Sequence, residues 1–143
     1  MVTSNSAVKD YMSLAPVFVY ENNNLLNAIE IMRNFGAQCL PIIKEDFSIV
    51  GILDRKRILR SLSTEISLIN LKQKKVKEIP ENYTTPVVLY QKTTIQEAYS
   101  IMKCLGVNGL PVVDLPWEKK MIGYLWLDEI KHLVDEQYIK IPV

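Results

Sequence analysis

Apolar positions in this chain alternate between two spacings, and the alternation runs through twice. Short β-branched and aromatic runs, "VFVY" (Val17 to Tyr20) and "VVLY" (Val87 to Tyr90), predict strands. Each is followed by residues able to cap a helix: Asn22 to Asn24 in one case, Thr93 and Thr94 in the other. Leu25, Ala28, Ile29, Met32 and Phe35 then recur at the i, i+3, i+4, i+7 spacing of one buried helix face, as do Ile95, Ala98, Tyr99, Met102 and Leu105. Gly36 and Gly106 supply the left-handed stop. "CLPIIK" with "SIVGILD", and "GLPVVD" with "MIGYLW", predict two antiparallel hairpins, the second with the longer turn ("LPWEKK" against "ED"). A last amphipathic helix is expected in each half, burying Ile58, Leu59 and Leu62 or Ile130, Leu133 and Val134.

The two passages are copies. A slide of 70 residues aligns Pro16, Val17 and Tyr20 with Pro86, Val87 and Tyr90, then Gly36, Leu40 and Pro41 with Gly106, Leu110 and Pro111. Shared apolar spacing arises easily by chance, but a shared Gly and Leu-Pro are backbone requirements at fixed offsets. The expected architecture is mixed α/β: two β-α-β-β-α repeats, residues 8–63 and 76–137, joined by a lysine-rich connector over 64–75. "VKDYM" (Val8 to Met12) and "VKEIP" (Val76 to Pro80) lead into the copies. One such repeat buries too little surface alone, so the two should share a core and pack as one module.

Composition narrows the function classes. The chain has 143 residues, 48% of them hydrophobic, and a net charge of +1. That balance gives no global attraction to nucleic acid. Lys72, Lys74, Lys75 and Lys77 lack interleaved aromatic residues and suit a solubilising connector better than a nucleic-acid stripe. No apolar run reaches the length of a membrane span. Cys39 and Cys104 have no C-x-x-C partner and lie on apolar elements, where they suit small core positions. With no leader-like start, reduced thiols and a cytoplasmic setting are expected. His132, the one histidine, has no companion at metal-ligand spacing and is expected at the surface; no metal site is assigned. No nucleophile-base pairing or phosphate-cradling glycine loop is present, so an enzyme is not expected.

The ordered set of "VKDYM", "PVFVY", a helix ending in Gly, "LPII"/"LPVV", and "VGILDRKRIL"/"IGYLWLDEI" resembles the tandem cystathionine-β-synthase-type (CBS) domain pair over nearly the whole chain, from about Val8 to about Glu136. The resemblance implies pseudo-twofold symmetry with two clefts between the repeats, ligands such as AMP, ADP, ATP or S-adenosylmethionine, a homodimer, and regulation of a partner protein.

The family's G-x-x-[ST]-x-x-D motif sets a hydroxyl and then a carboxylate at a helix start, where the carboxylate can accept from both ribose hydroxyls. Counting from Gly123, these positions hold Trp126 and Glu129; counting from Gly51, they hold Asp54 and Arg57. Arginine has only donors and cannot replace a carboxylate facing a diol. The resemblance implies one cleft built from Glu129, Trp126 and Tyr124 with Pro16, Val17, Ala37, Gln38 and Cys39, whose backbone could read an adenine edge. It implies a second, weaker cleft from Asp54, Arg57, Thr85, Val87, Val107 and Asn108. Glu129 also reads as a solvated helix carboxylate, Asp54 as an ordinary N-cap, Arg55 to Arg57 as either a solvated face or a phosphate site, and Trp126 as either a base-stacking ring or a plug. Two alternatives stand beside the sensor: a structural or dimerisation module with degenerate sites, and a nucleic-acid-binding regulator.

Overall fold

The computed structural model describes residues 6–15, 17–56, 58, 68–78 and 87–134, and in them the two units follow the same course. The first runs β1 (Val19–Tyr20), α1 (Leu25–Phe35), β2 (Cys39–Ile43) and β3 (Ile49–Asp54). After α2 (Leu68–Gln73) comes the second: β4 (Leu89–Tyr90), α3 (Ile95–Leu105), β5 (Gly109–Val113), β6 (Met121–Trp126) and α4 (Leu127–Ile130), extended by a 3-10 turn over Lys131–Leu133.

Both long helices begin and end as their sequences dictate. The Asn24 side chain accepts from Asn27 N–H at 2.9 Å, and Thr94 Oγ1 accepts from Glu97 N–H at 3.1 Å. Gly36 and Gly106 close them at φ 69° and 68°, where any side chain would be strained. Each repeat forms a three-stranded sheet, ordered β1-β2-β3 or β4-β5-β6, with its first pair parallel and its hairpin antiparallel. Even the register irregularity recurs, between Ile42 and Ile43 and between Val112 and Val113. The central strands β2 and β5 are buried at every residue. A strand covered on both faces can be apolar throughout, which accounts for "CLPII" and "GLPVV".

The repeats exchange their lead-ins. Val8 and Lys9 N–H donate to the carbonyls of Thr93 and Gln91, while Val76 and Lys77 N–H donate to those of Asn23 and Glu21. Val8 is thereby buried in the core of the second repeat and Val76 in that of the first, both at 0% exposure. Burying one valine contributes roughly 1.5–3 kcal/mol. Each lead-in therefore stabilises the copy it does not precede in sequence. The first core also takes in Val113, Met121 and Tyr124 from the second repeat, so the cores abut.

Five expectations need adjustment. Phe35 and Leu105, expected on the buried faces of their helices, are exposed: each is the last helical residue before the closing glycine, at the edge of the core. The first strand is shorter than "VFVY", because Val17 N–H bonds locally to Ala15 C=O instead of joining the ladder. The connector is partly helical, with α2 packed on α1. The last helix of the second repeat has only four α-helical residues before its 3-10 turn; Ile130 and Val134 are buried as expected, and Leu133 is half-buried. Cys104 is exposed, correcting its core assignment: it lies two residues past buried Met102, on the outer side of α3. His132 is exposed and Cys39 buried, as expected. Leu59 and Leu62 lie outside the described residues.

Candidate ligand-binding cleft

Tyr124, on β6, is wholly buried at the junction of the repeats. Its hydroxyl donates to Cys39 C=O across that junction at 2.9 Å. Burial, reinforced by the nearby Cys39 thiol, pushes the phenol well above its ordinary pKa, so it remains a protonated donor. The ring needs the space above Gly109: a Cβ there would run into Tyr124 Cε1. In the first repeat the equivalent positions are Cys39 and Ile52, a larger residue on one strand and a smaller one on the other. Tyr124 thus fills space at the junction and locks one repeat to the other.

Trp126 is half-buried, its ring centroid 4.7 Å from that of Tyr124, and it packs against the core of the first repeat together with Ala15 and Phe18. Three residues on, Glu129 is exposed in the first turn of α4. Val17, Ala37 and Cys39 are buried, and Gln38 is exposed. The groups open to a ligand among these are therefore the Glu129 carboxylate, the Gln38 side chain and part of the Trp126 indole. Pro16 lies outside the described residues.

The turns that precede β2 and β5 meet each other. Asn108 donates its side-chain amide to Gly36 C=O at 2.8 Å and accepts Gln38 N–H at 3.3 Å. Each turn is also tied to the helix start of its own repeat, by Arg55 N–H to Gln38 C=O at 3.3 Å and Leu127 N–H to Asn108 C=O at 2.8 Å. Sequence reasoning singled out Gln38 and Asn108 for separate clefts and did not find this bridge, nor the part played by Gly36. A signal was present: residues 38 and 108 are equivalent under the 70-residue slide, and equivalent residues near a pseudo-twofold axis can touch.

Of the second set, Asp54 accepts Lys56 N–H at 2.7 Å, the bond of a helix cap. Val87 is exposed and Val107 half-buried. Arg57 and Thr85 lie outside the described residues. Beside Asp54, a cavity of about 440 Å³ lies between α1 and the helical start at Arg55; its walls include Ile29, Met32, Ala37 and Ile58, with Arg33 at the rim. Among the described residues there is no group of three metal-ligating side chains, and no helix long and apolar enough to cross a membrane.

Comparison with known proteins gives this geometry a context. Residues 8–64 match the CBS domain family. An uncharacterized protein of Methanocaldococcus jannaschii is 26% identical, with 75% of this chain and 79% of that protein covered. In three longer enzymes that also match, the shared region is only 21–24% of the protein. Among solved structures, the CBS domain pair of protein MJ0100 in complex with 5′-methylthioadenosine and S-adenosyl-L-methionine superposes with a TM-score of 0.66 at 22% identity, over 90% of this chain and 94% of that one. CBSX2 from Arabidopsis thaliana in complex with AMP gives 0.67 at 23% identity, over 88% and 93%. Residues 8–64 thus match the CBS domain, and the second half of the chain writes the same fold again.

Proposed function

We propose that this CBS-domain pair is a regulatory module rather than an enzyme, binding an adenosine-containing ligand in the cleft beside Glu129 and passing the event to a partner protein. The observation that carries the reading is the exposed Glu129 carboxylate at a helix start next to the repeat junction. It can accept two charge-assisted bonds from a ribose diol. Pairs of the same fold bound to AMP, and to S-adenosyl-L-methionine with 5′-methylthioadenosine, support the choice of ligand class. Regulation then follows from differential affinity: the ligand acts only as far as it prefers one arrangement of the repeats. We further infer a homodimer, to which the exposed, repeat-equivalent Phe35 and Leu105 offer an apolar contact.

A second reading, a structural module, draws on Tyr124 and Trp126, which fill the junction where a base would stack. A thermal-shift panel of AMP, ATP, adenosine and S-adenosylmethionine separates the two. The sensor reading requires at least one of them to stabilise the protein; the structural reading requires that none does.

A further inference from the structure

We propose that Asn108 is a built-in competitor for the base-reading edge of this cleft, occupying in the manner of a 6-aminopurine an edge whose backbone donor and acceptor prefer that base. The inference rests on the adenosine reading above and specifies how the base is read. The turn after α1 presents one acceptor, Gly36 C=O, and, two residues on, one donor, Gln38 N–H. A partner for such an edge must offer a donor beside an acceptor. Adenine does so with its 6-amino group and N1; a 6-oxopurine offers the reverse, a carbonyl beside an N–H.

In this structure the Asn108 carboxamide supplies that same pair, its NH₂ on Gly36 C=O at 2.8 Å and its Oδ1 on Gln38 N–H at 3.3 Å. Its orientation is fixed by chemistry, since the flipped amide would set oxygen against oxygen and N–H against N–H. The bridge is also reachable. Gly36 and Gln38 are exposed and Asn108 is half-buried, so an incoming base edge can take over both bonds. Two neighbouring carbonyls of the turn are committed elsewhere: Gln38 C=O to Arg55 N–H, and Cys39 C=O to the buried Tyr124 hydroxyl. Gly36 C=O and Gln38 N–H are thus the pair a base can win from a side chain rather than from the fold. A ligand that displaces Asn108 also releases both of its bonds between the repeats, coupling occupancy to their relative position.

Binding to the full chain, followed by calorimetry with AMP and with inosine 5′-monophosphate, tests this. Removing an exposed two-bond competitor should tighten AMP binding about fivefold in Asn108→Ala. Asn108→Asp, which keeps the acceptor and loses the donor, should fall between wild type and Asn108→Ala. Inosine monophosphate should remain the weaker ligand in all three proteins. If wild type binds AMP and Asn108→Ala binds it equally or more weakly, the competitor role is overturned while the cleft reading stands. Inosine monophosphate binding as tightly as AMP would overturn the assigned edge. If neither wild type nor Asn108→Ala binds AMP, the cleft reading itself fails.

Discussion

Gly109 and Tyr124 depend on each other, and their pairing shows how single residues make two copied repeats fit as unlike partners. With a Cβ at residue 109 held against the Tyr124 ring, Gly109→Ala should destabilise the fold by about 1–3 kcal/mol, the usual cost of overpacking. Tyr124→Phe keeps the ring and removes the bond to Cys39 C=O, a loss of about 1–2 kcal/mol. Combining Gly109→Ala with Tyr124→Ile, the residue at the equivalent place in the first repeat, should cost less than the sum of the two single changes; urea unfolding of the four proteins measures that coupling. None of this was legible in the sequence. The hydroxyl and its acceptor are 85 residues apart, and no periodicity reports where a side chain reaches across a junction.

At the scale of elements, sequence pattern and structure agree wherever local chemistry decides. Helix starts at Asn24 and Thr94, stops at Gly36 and Gly106, and both hairpins follow from capping, backbone freedom and strand periodicity. The exchange of lead-ins does not. "VKDYM" and "VKEIP" were recognisable as equivalent segments, but which repeat each one serves depends on chain crossing rather than composition. Because each lead-in fills a fully buried slot in the opposite repeat, Val8→Ala and Val76→Ala should each cost about 2 kcal/mol. Both variants should still melt in one transition, by calorimetry and circular dichroism alike. Two separated transitions in either would mean that the repeats unfold independently.

At the scale of the whole molecule, the abutting cores and exchanged lead-ins predict a single cooperative unit. A chain ending near Asn70 loses the Val76 plug and the second-repeat residues packed on the first core, and it should not melt cooperatively as a monomer. Multi-angle light scattering should give the mass of a dimer for the full chain; a monomer mass across a wide concentration range would contradict the self-association we infer. That the two clefts differ is an expectation of the sequence, since Glu129 and Arg57 at equivalent motif positions cannot do the same chemistry; Arg57 lies outside the described residues. The Asn108 bridge was not, because it joins turns that the sequence placed in different clefts.

The most direct test of the adenosine reading is the melting temperature with and without AMP, in wild type and in Glu129→Ala. A ligand at about 100 times its dissociation constant stabilises the folded state by roughly 2.7 kcal/mol. For a chain of this size that is a rise of roughly 5–11 °C. Glu129 is exposed, so its loss should leave the unliganded melt nearly unchanged while removing most of the rise. A full rise in Glu129→Ala would place the ribose elsewhere, and no rise in wild type with AMP or any other adenine compound would contradict the account.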